Sequence, residues 1–283
     1  MAVTGGSMRW STFNAVHGNV QTRAGSRKFV QPMLTDQRKK AILEALARDG
    51  QVLAGELSAR FGVSEDTVRR DLRELAAQGR VQRVHGGALP ASAAVAPLAE
   101  REDMDVDAKR RVARKAASMI EPGQVVIVDG GTTSALLVQC LAPDLAATVV
   151  THSPSIAVAL AAHPAVEVLL IGGKLYKHSV VSVGAAAVEA ISHVHADLYF
   201  MGVTGVHAKA GLSTGDYEEA YVKRALAARA AETVVLACAS KLNAASQYRI
   251  GDLGLAQTLI VDAAAPARLI RPIEEAGLAV VKA

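Results

Sequence analysis

The chain has 283 residues, 51% of them hydrophobic and 20% charged, enough for one large or two medium domains at roughly 100 to 200 residues each; two domains are expected. No apolar run reaches the roughly 18 residues of a membrane span, and residues 1–33 lack the apolar core of a secretory signal, which points to a soluble, cytoplasmic protein that does not engage a membrane. The net charge of +4 is unevenly divided: residues 1–90 hold 14 Lys+Arg against 8 Asp+Glu, and residues 91–283 hold 17 against 19. A basic N-terminal third suits a nucleic-acid module joined to a regulatory domain, although a solvated basic surface gives the same count. Cys140 and Cys238 form no Cys-x-x-Cys or Cys/His cluster, so neither a disulfide framework nor a zinc site is indicated, and nothing asks for a cofactor.

Residues 1–33 are rich in Gly, Ser, Thr and Asn without a sustained apolar period and are expected to be a disordered extension. Met33 directly precedes the first strong helix signal, so a misassigned upstream start codon accounts equally well for this tail. Thr35 is the expected N-cap of a first helix whose apolar stripe, Ile42, Leu43 and Leu46, ends at Asp49-Gly50. A second helix runs from Ala54 to Phe61 with Leu57 and Phe61 on its core side, and Gly62 permits the tight turn before a third, Ser64 to Ala77. This is helix-turn-helix spacing.

On the third helix Ser64 can cap, and Glu65 and Asp66 place negative charge in the first turn, where the helix dipole favours it. Val68, Leu72 and Leu75 share one side; Asp66, Arg70 and Arg73 project from the other, flanked by Arg69. Such a helix in a major groove would turn its Arg side chains to guanine edges and phosphates, with Thr67 in reach of a base or backbone oxygen. An ordinary solvated helix face is the alternative. Arg80 to His85 then alternates like a strand, and Gly86-Gly87 permits a reversal, giving a wing with Arg80 and Arg83 as phosphate contacts and His85 at its tip.

The stretch Ala88 to Pro97 is small-residue, uncharged and carries two prolines, so it is read as a linker. The expected organisation is a DNA-binding domain over 34–89, a linker over 90–104 and a second domain over 105–283. That domain opens with a charged helix, Asp105 to Ile120, followed by strands Val125–Val128, Thr148–Thr151, Val166–Ile171, Leu198–Met201, Thr233–Leu236 and Thr258–Val261 separated by Ala-rich helices. Short β-branched runs alternating with helices indicate a mostly parallel α/β sheet. After its first strand, Asp129-Gly130-Gly131-Thr132-Thr133-Ser134 opens a helix, a turn whose N–H groups can hold a phosphate or whose polar side chains simply satisfy its own backbone.

The run Leu57 to Leu72, Leu-Ser-Ala-Arg-Phe-Gly-Val-Ser-Glu-Asp-Thr-Val-Arg-Arg-Asp-Leu, followed by Arg83-Val84-His85-Gly86-Gly87-Ala88, resembles the signature of the DeoR family of transcriptional regulators. The Asp129 turn is similar to the Asp-x-Gly-Thr-Thr loop of that family's sensor domain, whose fold resembles ribose-5-phosphate isomerase. Further landmarks follow in order: Thr151-His152-Ser153, Gly172-Gly173-Lys174, Gly202-Val203-Thr204-Gly205, Gly211-Leu212-Ser213, Glu219-Ala220 with Lys223-Arg224, and Ser240-Lys241. The resemblance implies a winged helix-turn-helix repressor of carbohydrate-metabolism genes that binds double-stranded operator DNA through Ser64, Asp66, Thr67, Arg69, Arg70, Arg73, Arg80, Arg83 and His85. Asp71 either orients one of the neighbouring guanidiniums or ties the helix to its neighbours.

The effector implied is a small-molecule phosphorylated sugar. Gly131, Thr132 and Thr133 would hold its phosphate, Asp129 and Glu219 would accept sugar hydroxyls, and Lys241 would add positive charge. Thr151, Ser153, Gly173, Lys174, Gly202 and Gly205 complete the set by resemblance, although Lys174 can equally snorkel into solvent. Tyr217 either stacks on the ligand or lies on its own helix. The chain departs from the family pattern at His152, where asparagine is usual, and at Cys238, where an acidic residue is.

The competing reading is a sugar-phosphate isomerase-like enzyme with an appended DNA-binding domain. Isomerisation needs a positioned base and an electrophile for the enediolate. Where the isomerases carry a carboxylate-rich loop, this chain has Met201-Gly202-Val203-Thr204-Gly205, leaving Glu219 as the base for that reading. A metal-responsive regulator would rest on His193 and His195 without a third ligand nearby. The resemblance therefore implies a regulator rather than an enzyme, with no metal or cofactor. Paired half-sites ask for a homo-oligomer, dimer or tetramer.

Overall fold

The computed structural model describes residues 33–283, so the expectation of a disordered extension falls, Met33 apart, outside the described residues. Pro32–Ala283 form one compact unit. Its first part comprises α1 (Thr35–Asp49), β1 (Val52–Leu53), α2 (Ala54–Phe61), α3 (Glu65–Ala77), β2 (Val81–Val84) and β3 (Gly87–Pro90), the three strands pairing antiparallel in the order β1-β3-β2. Ile42, Leu46, Leu57, Phe61, Val68, Leu72, Leu75, Val81 and Ala88 close into one core, each large side chain contributing about 1.5–3 kcal/mol by leaving water. Gly86 takes φ 77°, and a Cβ on Gly87 would lie 1.9 Å from the Val52 carbonyl oxygen, so the wing reversal needs both glycines.

One local expectation is corrected and another resolved. The N-cap of α1 is Leu34, without a side-chain cap bond; Thr35 is already helical and accepts weakly from Arg38 (3.4 Å). Asp71 is buried and meets no arginine of α3: it takes a bidentate pair from Arg38 of α1, Nε to Oδ2 at 2.5 Å and Nη2 to Oδ1 at 3.0 Å. The carboxylate therefore clamps α1 to α3, the second of the two roles read from the sequence.

The stretch read as a linker has structure of its own. A short 3₁₀ turn (Ala93–Val95) and α4 (Leu98–Glu102) lead into α5 (Val106–Ala117), and Ser92 and Ala94 are buried. α5 starts one residue inside the expected Asp105–Ile120, because Asp105 has left-handed backbone (φ 52°), and stops three residues short of its expected end.

The second part follows as β4 (Val125–Val128), α6 (Thr132–Gln139), β5 (Ala147–Thr151), α7 (Pro154–Leu160), β6 (Val166–Leu170), β7 (Lys174–Tyr176), β8 (Val181–Val183), α8 (Ala185–Ser192), β9 (Ala196–Gly202), β10 (Gly205–His207), β11 (Gly211–Thr214), α9 (Tyr217–Ala227), β12 (Ala230–Ala237), β13 (Tyr248–Gly251), β14 (Thr258–Val261), α10 (Ala267–Glu275) and β15 (Ala279–Lys282). Seven strands make one parallel sheet, β15-β14-β12-β9-β4-β5-β6. Alternate residues feed two cores: Val126, Val128, Phe200 and Leu236 pack beneath α5, α6 and α7, and Ile127, Tyr199, Met201 and Val235 beneath α8, α9 and α10. The six expected strands are present. β15 and two small antiparallel sheets, β7-β8 and β10-β11-β13, were not expected from the sequence.

From β4 the chain winds one way through β5 and β6 and the other way through β9, β12, β14 and β15. The order thus reverses between β4 and β9, where an open α/β sheet has its ligand crevice, at the carboxyl ends of the strands.

Candidate functional site

Two surfaces carry the expected chemistry. On α3 the Ser64 hydroxyl accepts from the Thr67 N–H (3.2 Å) and touches the Thr67 hydroxyl (2.9 Å), fixing the start of the helix. Val68, Leu72 and Leu75 are buried, whereas Asp66, Arg70 and Arg73 are exposed on the opposite side. Arg69 is held by its own helix, to Glu65 at 2.5 Å and Asp66 at 3.2 Å. Arg80, at the entry to the wing, and Arg83 and His85 within it are exposed.

The second surface is a partly open cavity at the β4/β9 reversal, lined by both polar and apolar residues. Its floor is built by the loops leaving three adjacent strands: Gly130–Ser134 after β4, Gly202–Thr204 after β9, and Ser240–Lys241 after β12. Gly131, with φ 124°, is the N-cap of α6, whose first residues Thr132, Thr133 and Ser134 line the cavity, and the Thr133 hydroxyl is buried there without a hydrogen-bond partner. Arg101, Lys109, Lys223 and Lys241 all line the cavity, with Asp105 and Glu219 beside them. Lys223 is spent on carboxylates and Lys109 donates to the Arg101 carbonyl oxygen. Among the described residues, Arg101 and Lys241 have no carboxylate partner, and Arg101 Nε is buried without any partner. Burial, and the neighbouring charges of Arg101, Lys109 and Lys223 against the opposing Cys238 thiol, bring the Lys241 ammonium down to about 8. A helix N-terminus, an orphaned hydroxyl and two uncompensated cations make a cradle for an anion.

Half of the expected effector residues line this cavity: Gly131, Thr132, Thr133, Gly202, Glu219 and Lys241. The others do not, for reasons visible in the packing. Thr151 is buried and accepts from the Ser153 N–H (3.1 Å), and Ser153 donates to the Val180 carbonyl (3.1 Å). Gly173 lies against Val183 and Ala187, and Gly205 against Ala244, so both serve close backbone approach. Lys174 is exposed and pairs with Glu218 at 3.0 Å. Tyr217 lies on its own helix, edge-on to Tyr221.

Asp129 needs the clearest correction. It is fully buried and already accepts five donors: His152 Nε2 (2.7 Å) and the Gly130 N–H (2.8 Å) on Oδ1, and the Gly202 N–H (2.8 Å), the Tyr199 hydroxyl (3.2 Å) and Lys223 Nζ on Oδ2. No lone pair is left for a sugar hydroxyl. Burial works to raise its pKa, but Lys223 and His152 outweigh burial and hold the carboxyl well below the usual carboxylate range. Asp129 is thus the hub that joins β4, β5, β9 and α9 beneath the cavity. His152, a departure from the family pattern, is part of that hub and also bonds the Ser182 carbonyl (2.9 Å). Arg101 and Lys109 were missed because the first lies in the stretch read as a linker and the second on a helix read only as charged.

Comparison with known proteins identifies both parts. The profile of the DeoR-like helix-turn-helix domain matches residues 38–93, and that of the DeoR C terminal sensor domain matches residues 104–263. A putative aga operon transcriptional repressor of Escherichia coli O157:H7 is 32% identical, over 87% of this chain and 93% of the relative. The glycerol-3-phosphate regulon repressor of Escherichia coli K12 is 30% identical over 86% and 97%, and the HTH-type transcriptional repressor GlcR of Bacillus subtilis 32% over 81% and 89%. Among solved structures, ribose 5-phosphate isomerase A from Methanocaldococcus jannaschii aligns over 48% of this chain and 53% of its own at 19% identity and TM-score 0.36. The sorbitol operon regulator SorC from Klebsiella pneumoniae aligns over 75% and 96% at 11% and TM-score 0.33. With a helix-turn-helix match and a sensor-domain match in one chain, and full-length relatives named as repressors, the protein belongs to the DeoR family of transcriptional regulators.

Proposed function

We propose that the protein represses carbohydrate-metabolism genes from operator DNA in the cytoplasm and lets go when a phosphorylated sugar fills the cavity at the ends of β4, β9 and β12. The sensing half is supported by Arg101 and Lys241, neither in an ion pair among the described residues, lining one cavity with the first residues of α6 and the orphaned Thr133 hydroxyl. The phosphate sits on that cradle, and Glu219, whose Oε2 accepts from Thr214 (2.7 Å), faces the sugar hydroxyls. The winged helix over 34–89 reads the operator with α3 in the major groove. Arg70 and Arg73 meet base edges and phosphates, Ser64, Asp66, Thr67 and Arg69 work at the helix start, and Arg80, Arg83 and His85 grip the backbone from the wing. A dimer or tetramer places two such helices on paired half-sites.

Arg70→Ala, exposed and outside the core, is expected to weaken operator binding by about 1–3 kcal/mol, roughly 5- to 150-fold, with thermal stability unchanged. Fluorescence anisotropy on operator and random DNA checks it: equal loss on both would make Arg70 a phosphate contact, and no loss would remove α3 from the groove.

Lys241 gives the cavity a pH signature. Its charge in the free protein is lost as pH rises through about 8, so a sugar monophosphate, a monoester already close to a dianion at pH 7, is expected to bind up to about tenfold more weakly at pH 9 than at pH 7. Lys241→Met removes that dependence. Titration calorimetry with a flat profile in the unaltered protein would take Lys241 out of the site.

A further inference from the structure

The stretch between the two matched domains is built into both the cavity wall and the wing. Leaving β3, the chain makes a parallel bridge from Ala91 to Ala245, where the Ala245 N–H donates to the Pro90 carbonyl (3.2 Å). The Ser92 hydroxyl then donates to the carbonyl of Thr204, a cavity residue, and accepts from the Ala94 N–H (3.1 Å). Ala94, Val95, Arg101, Met104 and Asp105 line the cavity. Asp105 accepts from the Ser240 hydroxyl (2.5 Å), beside Lys241.

The far side of the cavity returns to the same place. After Lys241 the chain bridges Leu242 to Val206 and runs through Ala245 to Ser246, whose hydroxyl lies 2.7 Å from that of Thr204. The root of the wing at Pro90–Ser92 therefore touches the loop that carries Lys241 and the loop after β9, both of which face the ligand space.

Arg101 is the unsatisfied member of this assembly. Its carbonyl is held by Lys109, while its Nε is buried in the cavity wall with no partner. A buried guanidinium N–H without an acceptor is costly, and an anion on the α6 cradle supplies what it lacks.

We propose that Arg101 is an effector-phosphate ligand contributed by the Ala91–Asp105 strap, and that its engagement shifts the Ser92–Thr204 and Ala91–Ala245 contacts that set the wing. This rests on the effector site proposed above and adds how the signal leaves it. The anion favours the state in which Arg101 closes on it; operator DNA favours the other, and the strap connects the two. Ser92 touches no ligand space, so it separates sensing from transmission.

The test uses the full chain and two variants, Arg101→Met, which keeps the apolar stem, and Ser92→Ala. Phosphate binding is read by calorimetry, and operator release by anisotropy at saturating concentrations of whichever sugar monophosphate, from a panel of trioses, pentoses and hexoses, releases the unaltered protein. Arg101→Met is expected to bind inorganic phosphate about 10- to 100-fold more weakly, with operator affinity in its absence retained. Ser92→Ala is expected to bind phosphate within about twofold of the unaltered protein while the ligand-induced change in operator affinity falls several-fold. Unchanged phosphate affinity in Arg101→Met, or full release from Ser92→Ala, overturns the proposal while release of the unaltered protein leaves the effector site standing. Failure of every phosphate to bind or release the unaltered protein overturns the effector site itself, and the strap with it.

Discussion

Asp71→Ala is expected to abolish operator binding although its carboxylate is buried against α1, whereas Arg70 and Arg73 are exposed. Asp71 and Arg38 are buried, with 2% and 6% of their surfaces exposed, and form a two-bond clamp between α1 and α3. Removing one partner leaves the other charge uncompensated, which costs about 3–5 kcal/mol. That approaches the whole stability of a domain this small, so α1–α3 should lose hydrogen-exchange protection together. Arg38→Met with Asp71→Leu removes both charges and should recover most of the loss, since well-packed apolar residues often replace a buried pair without penalty. A protected, folded Asp71→Ala that still fails on DNA would instead put Asp71 at the DNA surface.

Asp129→Asn is the corresponding change in the sensor domain, and its effect should be as large. The amide presents an NH2 group where Oδ1 or Oδ2 now accepts from five donors, and Lys223 is left with Glu219 at 3.5 Å as its remaining carboxylate. A loss of about 3–5 kcal/mol, seen as a fall in Tm on the order of 10 °C, is expected. The pH dependence identifies the cause. Because the folded protein holds Asp129 below its ordinary value, the stabilisation is fully present above roughly pH 4 and lost as pH falls below it, when the unfolded chain takes up the proton first. The variant should lack that acid-side loss. A wild-type-like Tm would show that Asp129 is not the hub its contacts describe.

These two carboxylates mark where the sequence was legible and where it was not. The sidedness of α3 could be read because Val68, Leu72 and Leu75 recur at helical spacing and Ser64 caps the turn, both local signals. Six strands of the parallel sheet were legible as short, mainly apolar runs, of which Val125–Val128 and Thr258–Val261 are mostly β-branched and largely buried, whereas β15, exposed or half-buried along its length, was not. The clamp was not, since Arg38 lies 33 residues from Asp71, and a buried partner at that distance leaves no periodic trace. Asp129 looked like a ligand because a carboxylate after a strand, beside two glycines, is where ligands bind; its donors come from four separate segments and meet only once the sheet is wound.

The segment around Arg101 failed for the opposite reason. Small residues and prolines are the composition of a tether, and here they allow close packing of Ser92 and Ala94 against the sensor domain. The short antiparallel sheets were illegible because three or four residues cannot establish a period of two.

Coupling of operator binding to a phosphorylated small molecule within one chain can be read from a single titration. The unaltered protein is titrated at fixed salt against the DNA upstream of its own gene, alone and with each member of a sugar-phosphate panel. The predicted result is specific binding that one compound weakens by roughly 5- to 150-fold, the usual span of allosteric coupling. Specific binding indifferent to every compound, or turnover of a sugar phosphate without specific binding, would contradict it.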